Sequence, residues 1–272
     1  MVRKKISSAD NQFVRKAVAA KTRRHGRKDY FLAEGPHLVE MAAASSAPIE
    51  EVFFTLDFIR TAEGKKVLDR LSQMKSSPGL LVELPANILA KISDTEAPQG
   101  IIAVVSQLPA SLFGVKARKE PLIAVCDGVG DPGNLGTIIR VSDAAGADAV
   151  IVLPGSCDPF SPKAIRATAG SIFNVSVIDM GYSGLFDYLA DMNIDLIVTD
   201  VNASISLYSS DLKKPVAFAL GNEARGVTEI LASRAAGAVR IPILGKAESL
   251  NVAVASAICL YEAVRQRTVP TS

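Results

Sequence analysis

Two kinds of block alternate along the chain. Short, nearly unbroken apolar runs are separated by longer stretches in which apolar residues return every three or four positions. The first kind reads as a strand covered on both faces, the second as an amphipathic helix. The runs predict strands at 30–33, 51–55, 80–84 and 100–105, and further on at 122–126, 149–153, 173–178, 195–199, 216–220 and 238–241. The periodic stretches predict helices at 9–24, 36–44, 62–74, 86–92, 134–145, 161–169, 184–192, 227–235 and 250–266. Alternation of this kind makes a layered α/β chain, and in the second half a parallel, doubly wound sheet.

One stretch breaks the rhythm. In SQLPASLFGVKARKE (106–120), Pro109, Gly114 and the cluster Lys116, Arg118 and Lys119 mark a linker. The expected organisation is a smaller α/β domain over 1–105, a linker over 106–120, and a second domain over 121–272. With 272 residues, 49% of them apolar, the chain can bury a substantial core.

Charge changes this picture at one end. The formal net charge is only +2, but the first 28 residues carry Arg3, Lys4, Lys5, Arg15, Lys16, Lys21, Arg23, Arg24, Arg27 and Lys28 against one acid, Asp10. Such a terminus points to a polyanion, because each phosphate neutralised releases condensed counterions. Cys126, Cys157 and Cys259 form no C-x-x-C, and His25 and His37 lie far from any acidic or thiol cluster of ligand spacing, so no metal is expected. No secretory core follows the basic start, and no apolar run approaches the ~20 residues that span a bilayer. A soluble, cytoplasmic protein is expected, with no membrane partner.

The densest candidate chemistry is CDGVGDPGNLGTIIR (126–140), which contains a literal G-x-G-x-x-G after a predicted strand. A dinucleotide site does not follow. Asp131 would repel a pyrophosphate, Pro132 removes an amide donor, and the next strand ends in Val152-Leu153-Pro154 with no carboxylate for a ribose. Asn134 reads instead as a helix cap, with Leu135, Ile138, Ile139, Ser142 and Ala145 on the buried face and Arg140 roughly opposite. Two later stretches share this polar, glycine-rich character. LGNEARG (220–226) follows a strand, where open α/β sheets bind ligands. IPILGKAESLNV (241–252) precedes the last helix, with Ser249 as a cap and Leu250, Val254, Ala257, Tyr261 and Val264 as a core stripe.

DGVGDPGNLGTIIRVSDAAGAD, FALGNEARGV and IPILGKAESLNVAVASAICLYEAV resemble, in order and spacing, the three motifs of the SpoU (TrmH-like) RNA ribose 2′-O-methyltransferases of the SPOUT superfamily. NQFVRKAVAAKTRRHGRKDYFLAEGPHLVEMA and APQGIIAVV resemble that family's N-terminal L30e-like substrate-binding domain. The resemblance implies an α/β fold: a mostly parallel SPOUT-type sheet with a deep trefoil knot, after a smaller L30e-like domain. It implies S-adenosylmethionine as methyl donor, a homodimer through the C-terminal domain, and RNA as substrate. Ribosomal RNA (23S) is preferred because the L30e-like domain precedes the catalytic one. A tRNA ribose methyltransferase and a non-catalytic RNA-binding assembly factor are the alternatives.

Carried over by position, Asn134, Arg140, Glu223, Ser249 and Asn251 are the expected catalytic set. Leu220, Gly221, Asn222, Ile241, Pro242, Gly245, Ser249, Leu250 and Asn251 are the expected cofactor contacts. RNA is expected at Arg15, Lys16, Lys21, Arg23, Arg24, Arg27, Lys28 and Arg166. Two departures stand out. Gly130 replaces a polar residue, and Ala224-Arg225 replaces the glycine that often follows Asn-Glu, which bears on the substrate more than on the cofactor. An arginine is charged at every working pH, so Arg140 is expected either to stabilise a developing alkoxide or to orient a proton-accepting phosphate.

Overall fold

The computed structural model describes residues 3–22, 29–74, 79–107 and 119–268. They fall into two compact units, Met1–Pro109 with Phe160–Phe173, and Ala110–Pro159 with Asn174–Ser272.

In chain order the first unit contains β1 (Arg3–Lys5), α1 (Gln12–Thr22), β2 (Tyr30–Glu34), α2 (Pro36–Ala44), β3 (Ile49–Phe54), α3 (Leu56–Arg60), α4 (Ala62–Ser72), β4 (Leu80–Glu83), α5 (Ala86–Ile92) and β5 (Ile101–Ser106). The sheet order is β1-β4-β3-β5-β2. β1, β4 and β3 are mutually parallel, while β5 runs antiparallel to both β3 and β2. One face packs Leu32, Phe53, Val82, Ile102 and Val104 against Val14, Ala17 and Ala20 of α1 and Ile88, Leu89 and Ile92 of α5. Three small or β-branched residues on α1 let the helix approach the sheet closely.

Two elements here escape a hydrophobicity pattern. β1 is Arg-Lys-Lys and exposed throughout. It is held by pairing to β4 and by Glu83, 2.6 Å from Arg3 and 3.4 Å from Lys5. α3 has five residues and exists because Thr55 caps it, its hydroxyl accepting from the Phe58 N–H at 3.3 Å. Thr61 then ends α3 and caps α4, accepting from the Gly64 N–H at 2.9 Å.

The second unit contains β6 (Leu122–Asp127), α6 (Pro132–Ala144), β7 (Ala149–Val152), β8 (Ser176–Asp179), α8 (Tyr182–Asp191), β9 (Asp195–Thr199), β10 (Ile205–Ser206), β11 (Val216–Gly221), α9 (Glu229–Ala232), β12 (Gly237–Arg240) and α10 (Val252–Thr268). Its seven strands are ordered β10-β12-β9-β11-β6-β7-β8, and every pair is parallel. β6 and β11 lie side by side near the middle, and their Leu122–Cys126 and Val216–Leu220 stretches are buried. This is the doubly wound sheet that uninterrupted apolar runs predict.

Five details differ from expectation. α6 begins two residues earlier than predicted, and its cap is Asp131, whose Oδ1 accepts from the Asn134 N–H at 2.9 Å. Asn134 is thereby freed for another role. α10 is capped by Asn251 rather than Ser249, its Oδ1 accepting from the N–H of Ala253 at 2.9 Å and of Val254 at 3.3 Å. The buried residues of α10 are Val252, Ala253, Ser256, Cys259, Leu260, Glu262 and Ala263, whereas Val254 and Tyr261 are about half exposed. Its first ten residues, Val252–Tyr261, are apolar but for Ser256, so periodicity alone could not set its phase. Finally, the stretch expected as a strand from 173 opens as a 3-10 turn over Ser171–Phe173, and the predicted 227–235 helix shrinks to α9.

α7 (Pro162–Thr168) lies in sequence between β7 and β8, yet its segment groups with the first unit. The Phe31 ring of β2 sits 5.3 Å from Phe160 and 6.0 Å from Phe173. Arg166 pairs with Asp94 at 2.7 Å, and Gly170 (φ +97°) leaves no room for a side chain beside Met41. The segment lies within the stretch expected as one domain over 121–272. Periodicity marks a helix but carries no information on which sheet receives it.

Candidate functional site

The site grows from the carboxyl ends of two neighbouring strands. In β6 and β11 the register sets Cys126 beside Leu220 and Asp127 beside Gly221. From β6 the order runs outward through β7 to β8, while β9 lies on the far side of β11. Strand ends at such a reversal are where open parallel sheets bind ligands.

Asp127, which was not among the expected site residues, closes β6 and is almost fully buried. Its carboxylate accepts from the Tyr182 hydroxyl at 2.8 Å and from the Thr228 N–H at 2.6 Å. It therefore joins the strand end to the first turn of α8 and the start of α9. After it, Gly128 takes φ +71°, and the Val129 N–H donates to Ser156 Oγ at 3.1 Å, which donates in turn to the Cys126 carbonyl. The glycine loop is thus fastened on both sides.

β11 continues into a tight turn. Asn222 and Gly226 exchange both backbone hydrogen bonds, at 2.9 and 2.8 Å. The Asn222 side chain works in two directions. Its Oδ1 accepts from the N–H groups of Ala224 (3.0 Å) and Arg225 (3.2 Å), and its Nδ2 donates to the Gly128 carbonyl at 2.8 Å. A Cβ on Gly221 would lie 2.1 Å from the Gly226 carbonyl carbon, so this position must be glycine for the turn to close.

Three stretches far apart in sequence then meet through side chains. Asn134 Nδ2 donates to Glu223 Oε1 at 2.8 Å, and Asn134 Oδ1 accepts from Asn251 Nδ2 at 2.9 Å. Glu223 Oε2 accepts from the Gly130 N–H at 3.4 Å. Burial works against ionisation of Glu223, but the Asn134 amide and the N–H groups of Glu223 itself, Gly130 and Asp131 outweigh it and hold the carboxyl below its ordinary range. Because Asn251 also caps α10, the line Glu223, Asn134, Asn251 ties the turn, the start of α6 and the start of α10 together.

Beside this line is an open cavity of about 720 Å³. Of the expected cofactor residues, Gly221, Asn222, Ile241, Ser249 and Leu250 line it, while Leu220 is buried in β11 and Pro242 and Gly245 lie in the exposed loop outside the lining. Asn251 also lies outside the lining and serves the network instead. Thr199, Asp200, Val201 and Asn202 complete another wall from the end of β9. That wall was readable in principle: polar residues at the carboxyl end of a predicted parallel strand carry the same signal as the other motifs. Arg140 is exposed on the face of α6 that also shows Thr137 and Ala144, and among the described residues no acceptor engages its side chain.

Cys157 adjoins the site, its N–H donating to the Val129 carbonyl. Burial, with the charges of Asp131, Asp158 and Glu223 adding to it, pushes its thiol up to about 11, which disfavours the thiolate at neutral pH. Among the described residues there is no group of three or more His, Cys, Asp and Glu side chains able to hold a metal ion, and no helix is long and apolar enough to cross a membrane.

The residues expected to bind RNA are in mixed positions. Arg15 is exposed. Lys16 is engaged internally, 3.0 Å from Glu51, 3.9 Å from Glu50 and over the Tyr30 ring. Burial lifts the Glu51 carboxyl above its usual range in spite of that lysine. Lys21 donates to the Ser93 carbonyl, and Arg166 to Asp94. Arg23, Arg24, Arg27 and Lys28 lie outside the described residues.

Residues 121–261 match the SpoU rRNA Methylase family, and residues 11–103 match the MRM3-like substrate binding domain. The chain is 34% identical over 259 residues to the 23S rRNA (guanosine(2553)-2′-O)-methyltransferase RlmP of Bacillus subtilis, covering 95% of this chain and 98% of that one. Its fold is similar to an AdoMet-bound rRNA methyltransferase from Sinorhizobium meliloti, with a TM-score of 0.85 and 29% identity over 98% of this chain and 99% of the other. The SpoU methyltransferase AviRb from Streptomyces viridochromogenes, in complex with the cofactor AdoMet, is similar with a TM-score of 0.85 and 27% identity over 94% and 98% of the two chains.

Proposed function

This chain belongs to the SpoU rRNA methylase family, and we propose that it is an S-adenosylmethionine-dependent methyltransferase acting on a ribose 2′-hydroxyl of 23S ribosomal RNA. The observation that carries the reading is the hydrogen-bonded line from Glu223 through Asn134 to Asn251, which assembles three motifs beside one cavity.

The cavity fits the cofactor. Its volume of about 720 Å³ is in the range of small-molecule sites, and one wall is the closed turn that begins at Gly221. Gly221, Asn222, Ile241, Ser249 and Leu250 would hold it. S-adenosylmethionine, when bound, supplies a methyl carbon already activated by a positively charged sulfur.

The protein's own task is then alignment and help with one proton. Glu223 is a poor proton acceptor. Its oxygens already take hydrogen bonds from Gly130 and Asn134, and its carboxyl is held below the ordinary range. Its role is to fix the glycine loop. Asn134, with both ends of its amide engaged, fixes the entry of α6. Arg140, two turns on and facing solvent, is the group that meets the ribose oxygen. A guanidinium stabilises negative charge developing there without itself having to lose a proton.

The first unit and the basic N-terminal residues take the RNA, with Arg15 as an exposed contact. A homodimer through the second unit is supported by Val254 and Tyr261, 49% and 48% exposed on one side of α10. The trefoil knot and a cytoplasmic location belong to the same reading.

The test is to map 2′-O-methyl groups in total RNA from cells with and without the gene, then restore either the wild type or Arg140→Ala. One 23S site should disappear with the gene, return with the wild type and stay absent with Arg140→Ala, although the variant still binds S-adenosylmethionine. Loss of a tRNA site would move the reading to that substrate, and no change in any RNA would overturn it.

A further inference from the structure

The turn from Asn222 to Gly226 carries two charges and sends them to different places. Glu223 faces the glycine loop and Asn134, where both its oxygens are engaged. Arg225, two residues on, is exposed, and among the described residues no acceptor engages its guanidinium. An acid so near in sequence would ordinarily neutralise it, but here that acid is already held elsewhere.

The backbone under Arg225 is nonetheless fixed. Its N–H donates to Asn222 Oδ1 at 3.2 Å, and the exchanged hydrogen bonds of Asn222 and Gly226 close the turn around it. Arg225 also lines the cavity, together with Thr199, Ser249 and Leu250. A charged fork with all its donors open, mounted on a held turn, suits a bidentate contact to an oxyanion.

We propose that Arg225 binds a phosphodiester oxygen of the RNA beside the ribose being methylated, and so positions that ribose. The proposal rests on the RNA methyltransferase reading above. Two oxyanions are chemically similar here, an RNA phosphate and the carboxylate of S-adenosylmethionine. Placement favours the phosphate. The turn is bonded to the loop and helix that carry Arg140, through Asn222 to Gly128 and Glu223 to Asn134. Within a nucleotide, the 2′-oxygen neighbours the 3′-phosphate. A side chain that holds that phosphate sets where the hydroxyl lies relative to Arg140.

The experiment compares wild type, Arg225→Ala and Arg225→Lys, with 23S rRNA from cells lacking the gene as substrate. Calorimetry gives the Kd for S-adenosylmethionine, and steady-state methylation at several salt concentrations gives the RNA terms. Arg225→Ala should raise the KM for RNA about tenfold and flatten the salt dependence of RNA binding by about one counterion. The Kd for S-adenosylmethionine should stay within about twofold, and Arg225→Lys should recover part of the loss, keeping the charge but not the fork. A raised S-adenosylmethionine Kd with an unchanged RNA KM would assign Arg225 to the carboxylate and overturn the proposal. So would no change in either, or loss of both with a lowered melting temperature. If wild type methylates none of the 23S rRNA, the underlying functional reading fails, independently of Arg225.

Discussion

Two glycine-containing segments border the same cavity and are built in opposite ways. The turn at Asn222 to Gly226 is fastened by backbone exchange, by both ends of the Asn222 amide and by a glycine with no space for a Cβ. The loop from Pro242 to Leu250 is open. Leu244 is 98% exposed, and a Cβ on Gly245 would touch nothing within 4 Å. Its firm attachment comes at its end, where Asn251 caps α10 and donates to Asn134. One wall of the site is therefore shaped by its own hydrogen bonds, and the other is held by side-chain bonds at Asn251. Preorganised contacts lower the ordering cost of binding, whereas an open segment must meet that cost when the ligand comes.

The largest contrast should come from adding one methyl group to a glycine of each segment. Gly221→Ala drives a Cβ into the Gly226 backbone. It should destabilise the second unit by about 1–3 kcal/mol and weaken S-adenosylmethionine binding more than tenfold, read by urea unfolding and calorimetry. Gly245→Ala should leave both within about 0.5 kcal/mol. Equal losses would dissolve the distinction between the walls.

A middle-sized effect sharpens it at the joint between them. Asn251→Ala should cost about 1 kcal/mol as a lost helix cap, with a further coupling of about 0.5–1.5 kcal/mol to Asn134 in a double-mutant cycle. Additive behaviour would mean that the loop is anchored by its cap alone.

The smallest effect concerns pH. The folded carboxyl of Glu223 is held below its ordinary value of 4.5, so folding favours the ionised form. Its contribution is complete above that ordinary value and is lost as the pH falls through the lowered one. The contribution of this group to the stability of the second unit should therefore be flat from neutral pH down to about 5 and be lost only in stronger acid, read by urea unfolding. Glu223→Gln should remove that acid limb. An acid limb already present near pH 6 would contradict the pairing with Asn134 and Gly130.

Much of this architecture was legible in the chain. The buried strands declared themselves because unbroken apolar runs need cover on both faces, and β9 falls at its expected residues. The three motif stretches were legible as polar, glycine-rich ends of strands and starts of helices. What misled were local choices with two good answers. Asp131 and Asn134 can both cap α6, as Ser249 and Asn251 can both cap α10, and the apolar first half of α10 offers more than one burial phase.

The environment of the basic residues was not legible for another reason. Lys16 and Lys21 look like RNA contacts in a charge count, but Glu51 and the Ser93 carbonyl, distant in sequence, engage them. A charge is visible in the chain, while its partner is not.

The sequence by itself determined where strands and helices lie and which polar residues crowd their ends, because periodicity, caps and turn chemistry act within a few residues. Only the tertiary structure decided that Asn251 reaches Asn134, 117 positions away, that α7 packs with the first unit, and that Glu223 bonds to Asn134 and the glycine loop rather than to Arg225. Those outcomes depend on which strands become neighbours and which hydrogen-bonding groups are left for one another. Both follow from burial of the whole sheet and not from any local pattern.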